Sequence, residues 1–130
     1  LGKNRMKGAY AYRSLYNQFG MLALGTDFPV EEINPFLTLR AAVLRMDKND
    51  FPNNGFLREE SLDLNTALKG MTIWPQFASF SESERGMLIQ GMEATFFVCA
   101  KPFNETSIPV KNGSTVTYIR GRKVYEAAVY

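Results

Sequence analysis

Apolar residues recur every three or four positions in three stretches of the chain, and this spacing predicts three helices. The first is predicted over residues 5–19 and the second over 35–46, with Asn34 as its N-cap and a proline at its first position. Ser61 is predicted to cap the third, which Pro75 ends or restarts. The apolar stripes of these helices are expected to face a core: Tyr12, Leu15, Tyr16 and Phe19; Phe36, Leu39, Val43 and Met46; and Leu64, Ala67, Leu68 and Met71.

Between the first two helices, the apolar run of residues 21–24 leads through glycine and threonine to a single carboxylate, Asp27, and then to Pro29. Such a run is typical of a strand buried on both faces, as in a parallel sheet covered by helices. A strand over 21–27 would place Asp27 at its carboxyl end, where α/β sheets and barrels hold catalytic groups. The pattern by itself leaves open, and favours, a plainer role, in which Asp27 caps a turn or the helix that begins near Asn34.

After Ser81 the chain changes to short β-rich runs separated by glycines and prolines. Strands are predicted at 94–100, 106–110 and 115–125, joined by turns into an antiparallel arrangement. The basic cluster at 120–123 is interpreted as a polar hairpin turn. The chain as a whole is therefore predicted to be α+β.

Composition narrows the function classes. A chain of 130 residues with 45% hydrophobic residues has room for one domain with a real core. Its 15 basic and 13 acidic residues are interspersed, which gives no footprint of nucleic-acid binding. No apolar run approaches the roughly 20 residues that span a bilayer. A single cysteine, Cys99, interpreted as a small buried hydrophobe, gives no intrachain disulfide and fits a cytoplasmic location.

Two motifs near the start of the chain resemble a known family. Residues 7–15, KGAYAYRSL, and residues 23–30, ALGTDFPV, resemble the end of the catalytic barrel in metal-dependent amidohydrolases. The similarity is closest to the amidohydrolase family 3 group, which includes N-substituted formamide deformylases. Further matches follow in order: a G-x-L-x-x-G turn at 86–91, a strand at 93–98 and a closing hairpin at 116–125. The resemblance therefore covers nearly the whole chain.

The resemblance implies a fold. Residues 1–80 would form the last β/α part of a TIM (β/α)8 barrel, and residues 81–130 part of a small β-sandwich subdomain. Because a whole barrel needs roughly 250 residues, the chain is expected to be a C-terminal fragment of a larger enzyme. One position departs from the family: Thr95 stands where an aspartate is usual, which puts a turn or strand contact in doubt rather than the chemistry.

The resemblance also implies hydrolysis of an amide or formamide-like C–N bond by a metal-activated water. Asp27 would exchange a proton with that water and is a possible metal ligand, while Thr26 and Phe28 would line the substrate pocket. Arg13 is expected to make a salt bridge or a helix-end contact. The implied partners are a small nitrogenous substrate and either a second copy of the chain or the missing parts of the enzyme, with neither nucleic acid nor membrane.

Zinc sites normally use histidine or cysteine, with three such ligands in a typical catalytic site, and a chain with one cysteine, Cys99, and no histidine cannot supply them. Zn²⁺ or another divalent metal is therefore expected in the larger enzyme and not in this chain alone, which should be inactive. Two alternatives remain open: a non-catalytic interaction or structural module, and a degenerate pseudoenzyme. A His-x-His motif in the upstream coding sequence would favour the enzyme.

Overall fold

The computed structural model describes residues 2–111 and 113–127. Three short strands form one antiparallel sheet in the order β1-β2-β3. This agrees with the predicted α+β class, while the described residues form neither a barrel nor a second sheet. The helices are α1 (Lys3–Met6), α2 (Tyr12–Phe19), α3 (Pro35–Val43), α4 (Leu64–Met71) and α5 (Trp74–Ala78), with a 3-10 turn at Arg58–Glu60; the strands are β1 (Phe96–Cys99), β2 (Ser114–Ile119) and β3 (Arg122–Glu126).

The single helix predicted over 5–19 is wrong, because the chain turns between α1 and α2. Glycine is a weak helix former, and Gly8 lies in this turn. Tyr10 has a φ of 53°, a left-handed conformation that a right-handed helix cannot include. After the turn, α2 ends at Gly20, whose N–H donates to the carbonyl of Tyr16.

Asn34 caps α3 as predicted, since its side chain accepts a hydrogen bond from the backbone N–H of Phe36 at 3.1 Å. The helix ends at Val43 rather than at residue 46. Arg45 follows with a φ of 60°, which turns the chain away from the helix axis.

The predicted cap of the third helix was wrong by two residues. The carboxylate of Asp63 accepts hydrogen bonds from the backbone N–H of Thr66 at 2.9 Å and from its hydroxyl at 2.6 Å. Both bonds hold the pKa of Asp63 below its ordinary value. Ser61 instead ends the 3-10 turn, where its N–H donates to the carbonyl of Arg58. An ionised aspartate is a stronger acceptor than a serine hydroxyl, and here it lies at the helix start.

The core forms where α3 and α4 pack together. Gly70 permits close contact between α4 and the segment before Asp27, because a Cβ there would lie 2.9 Å from the carbonyl oxygen of Leu22 and from a methyl group of Leu24. The buried apolar residues come from both helices and from two loops: Phe36, Leu39, Ala42, Val43, Leu62, Ala67 and Ile108.

The strand predicted at 106–110 is wrong, although its apolar residue does enter the core. Ile108 is 3% exposed, and its carbonyl accepts a hydrogen bond from Nη1 of Arg40 at 3.1 Å. The carbonyl of Val110 accepts from Nδ2 of Asn34 at 2.8 Å. Side chains of α3 and its cap therefore satisfy this backbone in place of a neighbouring strand, and Pro109 has no N–H for a ladder.

The hairpin of β2 and β3 turns at Arg120 and Gly121, as the basic cluster predicted. Both residues have positive φ angles, 52° and 72°, as a two-residue hairpin turn requires. The hydroxyl of Thr95 accepts a hydrogen bond from the N–H of Arg120 at 3.1 Å and donates to Glu93 at 2.7 Å. Thr95 thus contacts the hairpin turn through its hydroxyl.

Exposed apolar side chains lead us to expect that the isolated chain does not remain a simple monomer. Phe19, Val30, Phe80 and Leu88 are each more than 70% exposed, and apolar surface of this kind favours association. Light scattering at micromolar concentration should give a mass above 14.7 kDa. A clean monomer that unfolds cooperatively would contradict this expectation.

Candidate active site

The segment before Asp27 is not the doubly buried strand that its apolar run predicted. Exposure alternates along it: even-numbered residues from 22 to 26 are half-buried, and odd-numbered residues from 23 to 27 are exposed. The N–H of Leu24 donates to the carbonyl of Gly70 at 2.8 Å, and the rest of its backbone between residues 22 and 26 bonds to no described residue. The side chains thus keep a strand-like period of two, but no neighbouring strand in the described chain completes a ladder.

The fold leaves the carboxylate of Asp27 free. Asp27 is exposed with a φ of 55°, and its backbone carbonyl accepts hydrogen bonds from the N–H groups of Val30 at 2.9 Å and Glu31 at 3.3 Å. The turn therefore uses the backbone of Asp27, and Asn34 caps the helix that follows. No described residue hydrogen-bonds to the Asp27 side chain. The Asp27 side chain therefore caps neither the turn nor the helix, although Asp27 is itself a turn residue through its backbone carbonyl.

Asp27 lines an open groove of about 740 Å³, a volume in the range of small-molecule sites. Thr26 lines it too, with its hydroxyl 3.4 Å from the N–H of Phe28. The predicted third site residue, Phe28, lies outside the lining with 60% of its surface exposed. The remaining walls are chiefly apolar: Tyr10, Tyr12, Leu15, Leu22, Leu24, Leu37, Ala41, Ala42, Met46, Phe51, Pro52 and Phe56.

One buried cation, Arg45, also lines the groove and joins its walls. Its guanidinium lies 5.1 Å from the ring centre of Tyr12 and 5.9 Å from that of Phe56. Nε donates to the carbonyl of Phe56 at 2.9 Å and Nη2 to the carbonyl of Tyr10 at 3.0 Å. Burial lowers the pKa of Arg45, while Tyr12 and Glu60 oppose that shift. The sequence analysis missed this residue, because the predicted helix over 35–46 includes it and its hydrogen-bond partners are backbone carbonyls, which carry no signal in the sequence.

The loop after Arg45 forms one rim of the groove, and its own hydrogen bonds fix it. The carboxylate of Asp47 accepts from the backbone N–H groups of Phe51 at 3.0 Å and Asn49 at 2.7 Å, and these bonds lower its pKa. Lys48 pairs with Glu32 on the facing segment at 2.7 Å, which raises the pKa of Lys48.

The KGAYAYRSL motif at residues 7–15 connects α2 to the 3-10 turn through hydrogen bonds. The carboxylate of Glu60 accepts from the Ser14 hydroxyl at 2.6 Å and from the Ser14 backbone N–H at 2.9 Å, and both bonds lower its pKa. Arg13 makes the helix-end contact, one of its two predicted roles, because its Nε donates to the carbonyl of Ser61 at 2.6 Å. The motif therefore positions a wall of the groove, to which it contributes Tyr10, Tyr12 and Leu15.

The residues that the structure describes contain no group of three or more histidine, cysteine, aspartate and glutamate side chains that could hold a metal ion. The carboxylate of Asp27 could supply its two oxygen atoms as ligands to a metal ion. Cys99 is half-buried, and burial raises the pKa of its thiol, which disfavours the thiolate that binds metal. A complete metal centre is therefore not formed by this part of the chain.

Comparison with known proteins agrees with the motifs. The family model described as "Amidohydrolase family", its third branch, matches residues 1–125. The chain belongs to this family. Over 96% of its length it is 32% identical to Protein LONG AFTER FAR-RED 3 of Arabidopsis thaliana, and over 97% it is 30% identical to the putative amidohydrolase YtcJ of Bacillus subtilis. No solved structure matches.

The amidohydrolase chain spans only 21% and 24% of the lengths of these two relatives. Among its described residues, no helix is both long and apolar enough to cross a bilayer. The family assignment supports a hydrolase.

The contact between Ser14 and Glu60 predicts how stability depends on pH. The pKa of Glu60 is lower in the folded chain than in the unfolded chain, where it is about 4.3. The ionised carboxylate therefore adds to the free energy of unfolding above the unfolded pKa, and this contribution is lost as pH falls through the folded pKa. Ser14→Ala removes the hydroxyl donor, so the melting temperature should fall at pH 7 and the loss should shrink towards pH 3. Thermal unfolding at several pH values measures this, with the exposed Ser83→Ala as control. An equal loss at pH 7 and pH 3 would show that the contact contributes nothing through the carboxylate.

Proposed function

We propose that this chain supplies the proton-accepting carboxylate, Asp27, of an amidohydrolase that cleaves C–N bonds in amides or formamide-like compounds. The observation that carries the proposal is the free Asp27 side chain on the groove, since the turn uses only its backbone and another residue caps the next helix. Family membership over residues 1–125 supports a hydrolytic reaction. The resemblance to formamide deformylases points to a small nitrogenous substrate.

The chemistry of such a site needs a group that takes a proton from the attacking water and returns it to the leaving nitrogen. A carboxylate that is exposed and not committed to other donors can do both, provided that water and substrate come within hydrogen-bond reach. Thr26, beside Asp27 on the groove, would contact the substrate, whereas Phe28 lies outside the groove lining. The apolar walls would exclude bulk water from the rest of the substrate.

A divalent metal ion, zinc or another, would lower the pKa of a bound water to about 7 and polarise the scissile carbonyl. Asp27 can supply one ligand to it. The described residues do not offer the others, so we propose that they come from residues outside this chain.

In the whole enzyme, Asp27→Asn should reduce kcat roughly 10²–10⁴-fold, because an amide replaces the proton acceptor. Folding should change little, since the side chain is exposed and makes no hydrogen bond to a described residue. Steady-state kinetics and thermal unfolding measure the two effects. Glu31→Gln is the matched control, an exposed carboxylate that also lines the groove, and it should keep kcat within a few fold. Activity near that of the unsubstituted enzyme in Asp27→Asn would refute the assignment.

The isolated 130-residue chain should bind no stoichiometric zinc and hydrolyse no amide, because it has no histidine. Elemental analysis after dialysis against zinc-containing buffer is the measurement. One tightly held zinc ion per chain would contradict the expectation.

The absence of histidine also favours a second candidate function, a non-catalytic module or pseudoenzyme derived from the family. The two candidates differ in what precedes this segment in a longer chain. An intact His-x-His motif there supports catalysis, and a strand with that pair replaced supports the pseudoenzyme.

A further inference from the structure

Arg40 on α3 is a second buried cation, and two loops hold its guanidinium in place. The residue is 5% exposed. Its Nη1 donates to the carbonyl of Ile108 at 3.1 Å, while Nη2 donates to the carbonyl of Asp47 at 3.4 Å and to the carboxylate of Asp50. A buried charge is costly unless other groups compensate for it. Among the described residues, Asp50 is the one carboxylate that forms an ion pair with Arg40.

The ion pair with Asp50 uses only part of the guanidinium of Arg40. The N–H groups of an arginine form a planar fork that matches the two oxygens of a carboxylate or a phosphate. Asp50 contacts Nη2 through a single oxygen, Oδ1. The neighbouring Nε of Arg40 is buried and has no hydrogen-bond partner among the described residues. A buried donor without a partner is unfavourable, so an oxyanion that bonds to both Nε and Nη2 would satisfy the fork better than Asp50 does.

Asp50 can leave Arg40 at low cost. Its side chain is 72% exposed, so water solvates the carboxylate once it is released. An ion pair with one partner in solvent contributes little to stability. The backbone N–H of Asp50 donates to the carbonyl of Asp47 at 3.3 Å, so the loop is held by a bond that does not involve this carboxylate. Exchange of Asp50 for a dissolved anion therefore requires only rotation of its side chain.

Arg40 and Asp50 line an open cleft of about 580 Å³, which is large enough for a small molecule. The side chains of Asn53 and Asn54 also line it and make no hydrogen bond to a described residue. Their carboxamide N–H groups are therefore free to donate to the oxygens of an anion. Apart from Asp50, the lining contains no acidic residue: it is completed by Leu44, Met46 and Thr106.

We propose that this cleft binds a small oxyanion, a carboxylate or a phosphate, which displaces Asp50 and bonds to both Nε and Nη2 of Arg40. The carboxamides of Asn53 and Asn54 donate to its remaining oxygens. The cleft is distinct from the groove of Asp27, because Met46 is the one residue that lines both. The proposal is therefore independent of the catalytic role of Asp27.

The test begins with a titration of the chain with sodium acetate and, separately, with inorganic phosphate, followed by heteronuclear NMR. Sodium chloride keeps the ionic strength constant, so that general screening of charges does not change. At least one of the two anions should cause saturable shifts of the backbone amides of Asn53, Asn54 and Thr106, and none in α4. The anion that binds more tightly identifies whether the site takes a carboxylate or a phosphate. Absence of saturable shifts at these amides with both anions overturns the proposal.

Asp50→Asn tests whether the anion competes with Asp50. This variant removes the competing carboxylate, and asparagine tolerates the left-handed backbone that Asp50 adopts, with a φ of 60°. The dissociation constant of the anion should fall by roughly tenfold or more, which is the effect of one hydrogen bond to a charged group. Thermal unfolding of the variant checks that the fold is kept.

Glu126→Gln is the matched control, because it removes an exposed carboxylate from an ion pair with Lys123 and changes the net charge equally. Its affinity for the anion should equal that of the unsubstituted chain. Arg40→Lys keeps the charge but has no fork, so binding should be lost in this variant; if it does not fold, Asp50→Asn decides. Three results overturn the proposal: no gain in affinity in Asp50→Asn, an equal gain in Glu126→Gln, or full affinity in a folded Arg40→Lys. Because binding needs no turnover, such a failure is distinguishable from failure of the Asp27 assignment.

Discussion

The walls of the groove depend on one buried cation. Arg45 is 6% exposed, and its guanidinium binds the backbone carbonyls of Tyr10 and Phe56 while lying over the rings of Tyr12 and Phe56. Burying a charge is costly unless polar groups and aromatic faces compensate for it. These contacts provide that compensation, and they tie the turn before α2 to the loop after α3. Asp27 therefore faces a groove whose shape is set by side chains far from it in sequence.

Several elements whose residues lie close together in sequence were predicted correctly. The spacing of apolar residues located α3 and α4, Asn34 was recognised as a cap, and the Arg120-Gly121 turn followed from its residue types. Each of these features depends on groups within about four residues of one another, which a sequence displays directly.

One mistake was local, since Asp63 rather than Ser61 caps α4 from three residues before Thr66, and two others occurred where distant contacts decide the outcome. Residues 106–110 were expected to form a strand, but Arg40 and Asn34 bind their carbonyls from 68 and 76 positions away. The helix expected over 5–19 breaks at Tyr10, whose carbonyl accepts a hydrogen bond from Arg45.

One part of the candidate site could be predicted from the sequence, and another part could not. Asp27 could be selected from its place after an apolar run and from the resemblance, and the structure leaves its carboxylate free on the groove. The role of Arg45 in joining the groove walls could not be predicted, because its partners are backbone carbonyls, which carry no signal in the sequence. A chain that matches about a quarter or less of its relatives' lengths thus organises one free carboxylate and the groove around it.

The most direct test of this account is amide hydrogen exchange in the chain and in its Arg45→Met variant. If Arg45 holds the groove together, exchange should accelerate together in residues 9–12 and 47–57 and remain unchanged in α4. Arg58→Met is the control, because Arg58 donates to the carbonyls of Val43 and Leu44 at the same end of α3 but does not line the groove. Uniform acceleration across the chain, or unchanged exchange in both segments, would contradict the central role of Arg45.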